Sequence, residues 1–189
     1  MAHYRFSPDD IALLRKEGMN ETDLEHSVKV AEKALEIALR TGEKLDMELV
    51  GRGALFHDLG KTITHDITHG QLGAEKGAQL GLPAEVNLVM EKHIRGGLTG
   101  GEAIALGLPV KDYTLHKLEE RIIIYADRLV DIIYDGIVEI SDELDAEKRF
   151  NEILINTIKY GKDDLTRDRY FKYHEEIQRL ITRQKEKRL

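Results

Sequence analysis

Apolar residues recur every three or four positions along nearly the whole chain, the period of helices that bury one face. Between Leu24 and Leu39 one such face is made by Val28, Ala31, Leu35 and Ala38. From about Leu115 to Tyr134 the spacing continues through Leu118, Ile122, Tyr125, Leu129 and Ile133. The run Ile122-Ile123-Ile124-Tyr125 favours a strand on propensity alone, but the wider spacing predicts helix.

Punctuation between these stretches fits the same picture. Ser7 is placed to cap a short helix with Pro8 at its first position and Asp9 and Asp10 in its first turn, stopping near Gly18. Asn20 or Thr22 caps the next, which Gly42 ends. Asp46 caps a helix from Met47 to Leu59, with Gly60 expected at its C′ position. Thr68 and Gln71 have capping-box spacing and predict a helix to Leu80, closed by Gly81. Pro83 opens another, reaching about Ile94. The segment 96–111 is glycine-rich, with a short helical piece near Glu102 to Leu106. Two more helices are expected, near Asp145 to Tyr160 and Asp168 to Arg188. No repeat, low-complexity run or linker divides the chain. The prediction is an all-α protein of about seven to nine helices, in one domain over 1–189.

Composition narrows the classes. The chain has 189 residues, 41% of them apolar, which excludes a disordered tail protein. No apolar run approaches membrane length, and the N-terminal stretch lacks the apolar core of a signal peptide. Cysteine is absent, which excludes a disulfide scaffold, thiolate zinc sites and thiol catalysis. A cytoplasmic protein is the simplest expectation. The net charge of −7 argues against a whole-surface nucleic-acid or membrane binder. The charge is uneven: 167–189 carries eight basic against four acidic residues, a solvated basic end or a contact surface. The pattern leaves room for a homo-oligomer.

The chemistry lies among eight histidines. His3, His116 and His174 sit among charges or at a terminus and read as surface residues. His57-Asp58 follows an apolar helical turn, where an ionisable pair is costly to bury without a partner. Either His57 bonds a helix carbonyl as a local cap, or the pair helps hold a divalent cation. Asp127 stands in the most apolar helix. Its neighbour Arg128 points about 100° away and pairs with it poorly. Asp131, one turn on, shares its face, as a proton-handling group behind a ligating Asp127 or as a polar rim. His26 lies at the border of an apolar face, the place of a boundary histidine.

His26, His57-Asp58 and Asp127, in that order on an all-α frame and with Leu59-Gly60-Lys61 following the pair, resemble the HD superfamily of metal-dependent phosphohydrolases. The resemblance covers about 20–135, leaving 136–189 as a C-terminal helical extension, and is nearest to small stand-alone archaeal members. It implies an HD-domain helical bundle and one or two divalent ions per chain (Mn, Fe, Ni, Co or Zn, with Mg also accommodated). His26, His57, Asp58 and Asp127 would hold the first ion. Members with two ions add two histidines in between, and His69 and His93 match that order; His65 is a rival for the His69 role. The paired histidines and Gly-Tyr-Pro signature of the cyclic-dinucleotide branch are missing, since Ile94 follows His93. The implied activity is hydrolysis of a nucleotide or related small phosphate ester through a metal-activated water. Asp58, Lys61 and Asp131 are the expected catalytic residues, and Lys61, Arg95 and His65 the expected substrate contacts. Lys61 also suits a cation near a helix C-terminus. A di-iron oxygenase and a non-catalytic nucleotide sensor are the alternatives.

Overall fold

The structure, a computed structural model, describes residues 6–187. His3 lies outside them. The described residues form eleven α-helices and two short 3₁₀ turns, with no strand. They are α1 (Pro8–Lys16), α2 (Glu21–Thr41), α3 (Met47–Phe56), α4 (His69–Gln79), α5 (Ala84–Lys92), α6 (Gly100–Ala105), α7 (Leu118–Tyr134), α8 (Glu143–Lys148), α9 (Phe150–Asn156), α10 (Ile158–Gly161) and α11 (Asp164–Glu186). The 3₁₀ turns span Leu59–Thr62 and Ile94–Gly96.

The long α2 is the central strut. It packs on α3, α7 and α11, while α3 also meets α5 and α7, and α4 lies against α5 and the turn Leu59–Thr62. Ile122, Ile123, Ile124, Tyr125 and Ala126 are all fully buried, so this part of α7 meets protein on every side. That removes the amphipathic cue and explains its strand-like composition. One apolar cluster includes residues from α2, α3, α5, α7, α9 and α11, among them Tyr170, Ile177 and Ile181 of the last helix. A smaller cluster of Ile94, Leu98, Ala103, Leu108 and Tyr113 packs the glycine-rich segment.

The caps at Ser7, Asn20 and Asp46 form as expected, each accepting a backbone N–H of the first turn, and Gly42 closes α2 with φ +68°. Two expectations fail. Thr68 has helical torsions and caps nothing, so no capping box forms there. Gly60 is not a C′ residue: α3 stops at Phe56, and Gly60 lies inside the following 3₁₀ turn. A Cβ on Gly60 would stand 1.8 Å from the carbonyl oxygen of His69, so glycine serves close packing there. The segment expected as one helix near 145–160 is three short ones, divided at Arg149 and again where Thr157 turns extended. The last helix begins four residues earlier than expected, under an Asp163 cap.

Candidate metal centre

Five helices and one turn deliver the candidate ligands to one point. His26 comes from the second turn of α2, His57 from the end of α3, and Asp58 from the start of the 3₁₀ turn. His69 opens α4, His93 ends α5, and Asp127 comes from the middle of α7. Although 101 positions apart in the chain, His26 Nε2 and Asp127 Oδ1 lie 3.0 Å from each other. His57 Nε2 stands 3.2 Å from Asp58 Oδ2 and 3.5 Å from Asp127 Oδ1. The other oxygen, Asp58 Oδ1, faces His69 Nε2 at 3.3 Å and His93 Nε2 at 3.5 Å. Asp58 therefore separates two ligand groups, His26–His57–Asp127 on one side and His69–His93 on the other.

Three imidazoles are oriented by one device. His57, His69 and His93 each donate Nδ1–H to a backbone carbonyl three residues back (Ala54, Asp66 and Met90), all at 2.7 Å. This fixes the Nε2 atoms as the ones that face inward. His57 Nε2 is buried without a hydrogen-bond partner. His69 Nε2 and His93 Nε2 are 2.9 Å apart, and two lone pairs at that distance repel unless a proton or a cation lies between them. An orphaned buried nitrogen and an opposed pair of imidazoles, ringed by carboxylates, fit a divalent cation. Three overlapping groups can hold one: His26–His57–Asp58, Asp58–His69–His93 and His26–Asp127–Asp131.

The charges of the centre are strongly coupled. Burial works against ionising His57, but the Asp58 and Asp127 carboxylates outweigh it and raise the imidazole well above its ordinary range. Burial likewise opposes the charges of Asp58 and Asp127, yet the neighbouring imidazoles hold both well below the carboxylate range. Burial, with the charges of His69 and His57, lowers His93, so its Nε2 stays free of a proton. Burial and the Asp127 charge push Asp131 up to about 6.

The centre lines a cleft of about 380 Å³, at the small end of ligand pockets. Lys61 Nζ pairs with Asp58 Oδ2 at 2.6 Å at its edge, and the Asp58 charge outweighs burial to keep the ammonium above its ordinary range. His65 and Arg95 also line the cleft, bonded to Asp23 at 3.1 Å and Asp163 at 3.1 Å. Asp131 Oδ1 lies 3.9 Å from His26 Nδ1, and its other oxygen takes the Arg128 guanidinium at 3.1 Å. Arg128, Lys162 and Tyr170 line the same cleft and were not foreseen. Arg128 pairs one turn along α7 rather than with Asp127, a spacing visible in the sequence; Lys162 and Tyr170 arrive only through tertiary packing. His116 is exposed and pairs with Asp112. His174 is a correction: it is half-buried, stacked on Phe150 at 5.1 Å, and its Nδ1 accepts from the Tyr125 hydroxyl at 2.8 Å. Its charged neighbours in the sequence lie on the outer face of α11 and concealed this.

Comparison with known proteins follows the same line. A family model described as the HD domain matches residues 23–147. An uncharacterised protein of Methanocaldococcus jannaschii is 40% identical over 165 residues, covering 86% of this chain and 91% of that protein. A tRNA (cytidine(56)-2′-O)-methyltransferase of Thermoplasma volcanium is 33% identical over 177 residues, covering 92% of this chain and 48% of that protein. The chain thus spans about half the length of that methyltransferase. The HD domain of the L. monocytogenes phosphodiesterase PgpH, solved in complex with cyclic-di-AMP, has the same fold, with a TM-score of 0.55 and 18% identity over 95% of this chain and 97% of that one. No helix among the described residues is long and apolar enough to cross a membrane.

Proposed function

The chain belongs to the HD domain family, whose model matches residues 23–147, and we propose that it is a metal-dependent phosphohydrolase acting on a nucleotide or related small phosphate ester. The observation that carries this reading is the inward convergence of four imidazoles on Asp58 and Asp127, with the His57 nitrogen left unpartnered. His26, His57, Asp58 and Asp127 would hold one divalent ion, and Asp58, His69 and His93 a second. Such ions supply Lewis acidity toward a phosphoryl oxygen and an acidified water.

The remaining roles belong to the chain. Lys61, held by Asp58 and cationic throughout the neutral range, draws the phosphate and balances charge that grows on it. Asp131 steadies the His26 ring and is the nearby carboxylate that can receive a proton as the ester is cleaved. His65 and Arg95, at the rim of the cleft, contact the part of the substrate away from the reacting phosphate. The names of the methyltransferase and of PgpH refer to RNA and to a cyclic dinucleotide, which favours a nucleotide among phosphate esters.

The test is elemental analysis of untagged protein, then a phosphate-release screen over nucleotides with manganese, cobalt, nickel or magnesium. Phosphate release that needs the metal, and is lost in Asp58→Asn, is the expected result. Metal-loaded protein that consumes oxygen without releasing phosphate would sink the hydrolase reading for an oxygenase. Nucleotide binding without any turnover would sink it for a sensor. The double variant His69→Ala/His93→Ala counts ions: metal falling from about two per chain to one supports the two-ion arrangement.

A further inference from the structure

The described chain has two non-glycine residues with positive φ, Arg95 at +51° and Lys162 at +58°. Both line the cleft of the metal centre. Bulky side chains rarely adopt this backbone conformation, and where they do, a function often keeps them there. Lys162 adds ψ −88°, outside the left-handed helical well. Arg128 completes the group from α7. Its guanidinium lies over the Tyr170 ring, 5.0 Å from the centroid, and bonds Asp131 and the Tyr170 hydroxyl; the residue is buried, and its Nε finds no acceptor.

The charges around these residues are not balanced. Arg95 has Asp163, and Arg128 shares Asp131. Lys162 is exposed and has no carboxylate within ion-pair distance among the described residues; partial desolvation, then its cationic neighbours Arg128, Arg95 and Lys159, pull its ammonium below the ordinary lysine range. Like charges gathered on a cleft wall repel one another, so the arrangement costs stability until an anion joins it. Asp58 and Asp127 cannot be that anion, since the imidazoles and Lys61 already engage them. Lys61 lines the same cleft but is already paired with Asp58.

We propose that Arg128 and Lys162, with Arg95 beside them, form a second anion subsite in the cleft, and that the substrate is a nucleotide bearing a second phosphate besides the one hydrolysed. The proposal rests on the phosphohydrolase reading for which phosphate reacts. The subsite itself needs only the three cations. Arg128 contributes a fixed positive charge, its guanidinium held by Asp131 and the Tyr170 hydroxyl, and Lys162 a mobile point charge free to meet the phosphate. A cleft of about 380 Å³ has room for a mononucleotide with two phosphates.

The test is titration calorimetry of the metal-loaded protein, with adenosine 3′,5′-bisphosphate and adenosine 5′-monophosphate as probes. The bisphosphate should bind about tenfold more tightly, a gain that falls as salt rises. Lys162→Ala should abolish most of this preference, mainly by weakening the bisphosphate, and Lys162→Arg should retain it. Lys162→Gly separates charge from backbone: it should lose the preference while its melting temperature rises, because glycine accepts φ +58° without strain. Equal weakening of both probes in Lys162→Ala would overturn the proposal, since the cation would then serve the reacting phosphate. An undiminished preference in Lys162→Ala, or wild-type protein that prefers an RNA oligonucleotide to the bisphosphate, would also overturn it. A preference that depends on Lys162, with no phosphate released from any nucleotide, would leave the subsite standing and remove the hydrolase reading. Turnover of nucleotides with no preference for the second phosphate would do the reverse.

Discussion

Gly60→Ala tests whether the packing of α4 on the 3₁₀ turn sets the metal centre. The added Cβ would meet the His69 carbonyl oxygen at 1.8 Å and the Gly73 nitrogen at 2.8 Å, both backbone atoms that no rotamer change can move. Ordinary contact needs about 3.5 Å, so the start of α4 must retreat by roughly 1.5 Å. His69 Nε2 now lies 2.9 Å from His93 Nε2 and 3.3 Å from Asp58. A retreat of that size carries it beyond the ~0.2 Å tolerance of a metal ligand. Overpacking of this kind costs about 1–3 kcal/mol, occasionally more. For a domain of this size, that lowers the melting temperature by roughly 2–12 °C. Misplacing a catalytic group by about 1 Å costs on the order of 100-fold in rate. Elemental analysis should find metal lost from the Asp58–His69–His93 side, and phosphate release should drop by about that factor. Gly101→Ala, whose Cβ meets nothing within 4 Å, is the control and should behave as wild type. Gly60→Ala protein with full metal content and full rate would refute the packing argument.

Three other outcomes follow from the same geometry. Asp127→Ala should lose turnover and metal while the metal-free protein melts near the wild-type temperature, because losing the pairing with His57 and His26 is offset by the end of carboxylate desolvation and of the repulsion on Asp131; full activity would remove Asp127 from the ligand set. Metal that binds only the folded state at 100 times its dissociation constant adds about 2.7 kcal/mol, so chelation should lower the melting temperature by roughly 5–11 °C, and an unchanged melt would contradict a metal centre. Glu147 is buried against Arg40, with contacts of 2.6 and 2.8 Å; burial opposes its charge, but Arg40 outweighs burial and lowers its pKa. A lowered folded pKa stabilises above the unfolded value near 4.3 and fades as pH falls through the folded one. Glu147→Gln should therefore cost about 2 kcal/mol at pH 7 by chemical denaturation, with the gap to wild type closing below about pH 4; a gap independent of pH would contradict the pairing.

What the sequence reveals depends on how local the cause is. Caps at Ser7, Asn20 and Asp46 are decided by one side chain and its own first turn, so they were legible. The convergence of His26, His57-Asp58 and Asp127 was legible for a related reason. A carboxylate such as Asp127 inside an apolar helix, or His57-Asp58 after an apolar turn, demands a partner wherever the fold supplies one. Thr68 failed as a cap because α4 starts where it packs on the Leu59–Thr62 turn, not where a hydroxyl suits it. The break at Thr157 carries no proline or glycine, and the three short helices around it are set by burial of Phe150, Leu154 and Tyr160. The cationic wall was illegible for the same reason: Arg95, Arg128 and Lys162 come from three distant elements.

Of the two sequence readings of His57, the local helix cap is present, and its geometry is compatible with the ligand reading. The His57 Nδ1–H satisfies a carbonyl in the last turn of α3, as the cap reading requires. That bond fixes the tautomer and aims Nε2 at Asp58 and Asp127, as the ligand reading requires. His93 repeats the arrangement at the end of α5, and His69 does so through the Asp66 carbonyl ahead of α4. His26 differs: in the body of α2, where carbonyls are already bonded within the helix, its Nδ1 instead faces Asp131. The ring that lacks a helix end is thus the one bonded to a carboxylate, Asp127 at 3.0 Å, with the charge of Asp131 on its other side, and Asp131 in turn is held by Arg128. Disorder introduced at Asp131 should therefore reach the first ligand group through His26 and leave His57, His69 and His93, anchored by backbone, in register.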